Sequence, residues 1–90
     1  MDQEKYNQIR KQLVDSTQWP SIYMFKFVIP NKDEKTEAVK AIFPKGTQFA
    51  FKTSKNMAYL SITVKIMMKD ADAVIAIYDQ TKHIEGLLAL

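Results

Sequence analysis

Residues 59–68, YLSITVKIMM, constrain the fold more than any other stretch of the chain. Leu60, Ile62, Val64, Ile66 and Met68 alternate with Tyr59, Ser61, Thr63, Lys65 and Met67. A period of two marks a strand with one buried face, and Ile, Val, Thr and Tyr suit a pleated, half-buried surface. Strands usually run about five or six residues, so the length of this one predicts a central place in a sheet.

The flanking segments supply partners for it. Residues 2–17 read as an amphipathic helix, with Tyr6, Ile9 and Leu13 on one face and Val14 at its margin. Asp2 and Glu4 lie at its dipole-positive end. A lone helix this short is marginal in water, so it is expected to dock on its own domain, with a partner-binding arm as the alternative. Residues 15–20 form a turn in which Pro20 draws Trp19 towards extended geometry. Trp19 is expected to plug the edge of the core.

A first strand follows over residues 21–29, with Tyr23, Phe25, Phe27 and Ile29 on one face and Met24, Lys26 and Val28 on the other. Asn31, with Glu34 three positions on, predicts a capped helix carrying Val39, Ile42 and Phe43 and ended by Pro44 and Gly46. Residues 47–54 read as a second strand, with Phe49 and Phe51 on its inner side. The loop after it contains Asn56, the residue best able to take a left-handed backbone angle there. Beyond Met68, Asp70 or Asp72 caps a helix bearing Val74, Ile75 and Tyr78, and residues 87–90 make a short last strand at the sheet edge.

After the leading helix the order is strand, helix, strand, strand, helix, strand. This is the ferredoxin-like split βαβ arrangement, an α+β fold with a four-stranded antiparallel sheet and two helices on one face. Right-handed crossovers put the first and third strands at the centre. Residues 1–18 are then an N-terminal amphipathic helix and 19–90 the ferredoxin-like domain. The expected core is Phe25, Phe27, Phe49, Phe51, Leu60, Ile62, Val64, Ile66, Val39, Ile42, Val74 and Tyr78.

Three segments bear a family likeness. They are WPSIYMFKFVIP (19–30), TSKNMAYLSITV (53–64) and ADAVIAIYDQTKHIEGLLAL (71–90). Trp19-Pro20 precedes Tyr23 to Lys26, Ser54-Lys55 precedes Tyr59 to Thr63, and Val74 to Tyr78 leads to Gly86. In their order and spacing these resemble the YbeD-like family of small bacterial proteins, whose function is uncharacterised. The resemblance covers about residues 19–90. It implies a ferredoxin-like domain similar to ACT-type regulatory modules and, for the namesake, a link to lipoate metabolism. It implies no catalytic residue. This chain departs from the family pattern where Asn56-Met57-Ala58 follows the Ser-Lys pair in place of a glycine.

Ninety residues hold one domain and one core. The chain has no cysteine, so disulfides and thiolate chemistry are excluded. One histidine, His83, is too few for a metal cluster of ordinary spacing, and two glycines leave no phosphate loop. No cofactor and no enzymatic activity are expected. The polar N-terminal residues and the absence of a long apolar run predict a cytoplasmic protein that crosses no membrane.

What remains is the sheet face away from the helices. Lys26, Lys52 and Lys65, with Tyr59, Ser61 and Thr63, project there from three neighbouring strands and define a candidate anion- or partner-binding surface. The plain alternative is a solvated face, expected to be mostly hydrophilic, or one partly covered by the first helix. RNA-recognition modules share the fold, but they expose aromatic rings on the two central strands. Here only Tyr59 is so placed, and the glycine-aromatic signature of the third strand is missing. The expected role is a small regulatory or protein-interaction domain, with homodimerisation and ACT-type metabolite sensing as the alternative and RNA binding below it. A metabolite pocket is expected only at a dimer interface, because the interior is small.

Overall fold

A computed structural model describes residues 3–16 and 18–90. The elements are α1 (Gln3–Ser16), β1 (Ser21–Pro30), α2 (Asp33–Ile42), β2 (Ala50–Thr53), β3 (Tyr59–Met68), α3 (Ala71–Thr81) and β4 (Leu88–Ala89). Asp2 and Thr17, at the two ends of the expected first helix, lie outside the described residues. The sheet order is β2-β3-β1-β4, with every pairing antiparallel. The chain therefore adopts the ferredoxin-like arrangement expected of it, preceded by a helix.

β1 and β3 form the centre, paired along their full length from Ser21 opposite Met68 to Pro30 opposite Tyr59. In this register Phe25 faces Val64 and Phe27 faces Ile62, so the large inward side chains of both strands meet beneath the helices. Phe25, Phe27, Ile29, Ile62, Val64, Val39 and Val74 are fully buried. Phe43 from the end of α2 and Tyr78 from α3 close on Phe25 with ring centroids 5.4 Å away in each case, both edge to face.

α1 docks on α3. Tyr6 is buried, Ile9 and Leu13 pack against the core, and Arg10 pairs with Asp72 at 2.8 Å. The helix thus lies on the helical side of its own domain and leaves the opposite sheet face uncovered. Trp19 is partly buried at the core's edge, as expected.

Four local expectations are corrected. Asn31 does not cap α2: Lys32 occupies the N-cap position without a side-chain bond. The Asn31 Nδ2 instead donates to the Met57 carbonyl at 2.9 Å, and its backbone N–H donates to Ala58. Tying the end of β1 to the β2–β3 loop competes with capping for the same short side chain. In the β2–β3 loop the left-handed residue is Met57 (φ 61°), not Asn56. The Asn56 Oδ1 accepts from Ala58 N–H at 3.1 Å and from the Ser54 hydroxyl at 2.9 Å, an Asx turn that moves the strained angle one residue on. β2 is shorter than expected, and Phe51 is 49% exposed, because an edge strand of four residues extends past the cover of α2. Phe49, just before β2, is only partly buried against the core.

Asp70 is the cap of α3, accepting from Ala73 N–H at 2.8 Å. Asp72, inside the helix, serves the α1 contact instead. Asp70→Ala is expected to lower stability by about 1 kcal/mol, seen as a reduced urea midpoint. Asp72→Ala should cost less, since its pair with Arg10 is largely exposed. The reverse order would contradict this assignment of roles.

Candidate functional site

The outer face of the sheet carries the predicted site residues. Lys26, Lys65 and Lys52 stand exposed on β1, β3 and β2, with Tyr59 exposed and Ser61 and Thr63 half-buried on β3. The register brings them into one patch. Lys26 lies opposite Thr63 and Lys52 opposite Ser61, while Lys65 sits opposite Met24 and so diagonal to Lys26.

The charge distribution sharpens this picture. Among the described residues no strand contains an Asp or Glu. Lys26, Lys52 and Lys65 are the strands' only ionisable residues apart from tyrosines. With thirteen Lys and Arg against ten Asp and Glu in the chain, setting those three aside leaves ten of each sign elsewhere. The formal charge of +3 is thus carried entirely by the sheet. None of the three lysines forms an ion pair among the described residues.

The expectation of a mostly hydrophilic outer face is overturned. Ile22 (65% exposed) lies opposite Met67 (59%), and Met24 (52%) adjoins both, which makes an apolar cluster at one end of the face. Val28 lies between Ser61 and Leu88 at the other end, where Leu88 and Leu90 are exposed along the β4 edge. The signal was present in the sequence, since Ile22, Met24 and Met67 alternate in step with the lysines. Alternation shows which side chains are inside, but it does not make the remainder polar.

This face offers no base-stacking platform. Tyr59 is the single aromatic ring on its two central strands, whereas Phe25 and Phe27 are fully buried on the other side. A titration with single-stranded RNA at low salt is expected to be flat, and saturable binding would contradict this reading.

The model of a family described as protein of unknown function, DUF493, matches residues 15–89. The chain belongs to the DUF493 family. No curated protein and no solved structure matches it. All four strands, and with them the lysine and apolar clusters, lie within the matched region, whereas α1 lies almost wholly before it. The outer face therefore lies within the residues that the family model covers. Among the described residues, no helix is long and apolar enough to cross a membrane.

Proposed function

We propose that the chain is a non-enzymatic protein-interaction domain whose outer sheet face receives an acidic segment of a partner protein that also bears apolar side chains. The observation that carries this reading is the coincidence, on one uncovered face, of three unpaired lysines with the Ile22–Met24–Met67 cluster.

The two components do different work. Fully burying a large apolar side chain contributes roughly 1.5–3 kcal/mol; these three are still 52–65% exposed, so each has about 1–2 kcal/mol left to gain. An exposed lysine–carboxylate pair contributes about 0.2–1 kcal/mol. Apolar contact therefore supplies most of the affinity, while the lysines select the sign of the partner and speed its approach. A second copy of the chain is a poor occupant of this face, because stacking two copies would oppose lysine to lysine with no carboxylate on either sheet.

Selection of peptides from a random library against the folded protein tests this. The expected winners are rich in Asp or Glu with interspersed apolar residues. Their affinity should fall roughly tenfold when Lys26, Lys52 and Lys65 are all replaced by Gln; added salt should weaken binding to the unaltered protein and have little effect on the triple variant. Winners without acidic residues, or binding unchanged in the triple variant, would remove the proposal. Sedimentation of the free protein separates the dimeric metabolite-sensor alternative, which requires self-association.

A further inference from the structure

A second concave feature lies on the opposite side of the molecule, and it is independent of the interaction reading. α1, by docking on α3, walls off a half-open cleft of about 570 Å³ that ends at β4. The volume lies within the ~300–1,000 Å³ typical of small-molecule sites. Its apolar walls come from Ile9 and Leu13 of α1 and from Leu87 before β4, and Tyr6, Tyr23 and Tyr78 converge on it. The cleft is formed within one chain, with α1 as one of its walls.

The tyrosine pair gives the cleft its one specific polar feature. The hydroxyls of Tyr23 and Tyr78 lie 2.9 Å apart. Tyr78 is buried, whereas Tyr23 is only half-buried. Burial, and then the bond to Tyr23, raises the pKa of Tyr78, and either hydroxyl can be the donor in that bond. Two hydroxyls carry two hydrogens, and the bond between them uses one. The other hydrogen stays on whichever tyrosine accepts, and both tyrosines line the cleft. Tyr6 adds to the same wall, but its hydroxyl oxygen is buried. The nearby Asp79 carboxylate helps burial to raise the Tyr6 pKa, yet no bond of ordinary geometry joins them.

We propose that the α1–α3–β4 cleft binds a small, mainly apolar molecule carrying one carbonyl oxygen, which accepts the free hydroxyl hydrogen of the Tyr23–Tyr78 pair. The apolar body lies against Ile9, Leu13 and Leu87. α1, which supplies Ile9 and Leu13 to the cleft, lies almost wholly before the residues that the family model matches.

Benzylacetone and butylbenzene, which differ by a carbonyl in place of a methylene, are the probes, followed by amide NMR of the full chain. Benzylacetone should bind saturably, shift α1, α3 and β4 resonances, and bind about fivefold more tightly than butylbenzene. The isosteric double variant Tyr23→Phe/Tyr78→Phe should keep butylbenzene binding and lose that preference. Leu13→Trp, at the half-buried wall, should weaken both probes. Equal affinity for the two probes, no saturable shift with either, or a preference that survives the double variant overturns the proposal.

Discussion

Phe25→Ala is expected to lower the unfolding free energy by about 3–5 kcal/mol, a large part of the roughly 5–15 kcal/mol that holds a small domain together. Phe25 is fully buried on the central strand. Its ring centroid lies 4.7 Å from Tyr23, 5.4 Å from Phe43 and 5.4 Å from Tyr78, each edge to face. Truncation removes the apolar area, these three edge contacts and the stacked contact with Phe27 at 6.0 Å, and it leaves a cavity where β1, α2 and α3 meet. Phe51→Ala provides the control. The same side chain is deleted, but at an edge where 49% of it meets solvent, so the expected cost is about 1 kcal/mol. Urea titration of both variants checks the pair. Equal losses would show that the sheet edge is packed as tightly as its centre, contrary to the fold described.

Gly86→Ala should be the more damaging of two glycine substitutions, at roughly 2–4 kcal/mol. Gly86 has φ 84° and Gly46 has φ 90°, so an L side chain pays a similar left-handed penalty at each, roughly 1–2 kcal/mol. The surroundings separate them. A Cβ at Gly86 would stand 2.9 Å from the Pro30 Cγ, whereas one at Gly46 meets nothing within 4 Å. The Pro30 ring cannot swing aside as a long side chain would, because it closes the end of β1 beside Asn31, which is bonded to the hairpin loop. Gly46→Ala should therefore lose only the backbone component. Thermal unfolding of the two variants compares them directly, and indistinguishable losses would mean that Pro30 yields without cost.

Alternation in residues 21–30 and 59–68 was enough to place β1 and β3, their inward faces and the order of the sheet, because a two-residue period repeated over a long strand admits one register of burial. Asp70 was legible as a cap for a similar reason: the interaction is local. What escaped sequence reasoning was non-local. Whether Phe51 is covered depends on how far α2 reaches over β2. Asn31 carries a helix-cap signature, yet its side chain is taken by Met57, which is distant in sequence and adjacent only in the fold. The candidate site divides in the same way. Lys26, Lys52 and Lys65 could be assigned to one face from parity, and the structure places them there. The apolar neighbours Ile22, Met24 and Met67 share that parity, and their exposure follows from the docking of α1 on α3, which leaves the face bare. The cleft beside Tyr23 and Tyr78 needs three elements in contact and has no local signature.

On the proposed function, the uncovered sheet face, and not the helical layer, meets the partner. Four described methionines report on this. Met24 and Met67 lie exposed on the outer face, Met57 is exposed in the hairpin loop, and Met68 is buried among the inward side chains. Isotope-labelled methionine methyl groups, observed by NMR as a selected acidic peptide is added, test the claim most directly. Met24 and Met67 are expected to shift together and saturate while Met57 and Met68 hold still. Saturable peptide binding that leaves Met24 and Met67 unmoved would contradict it.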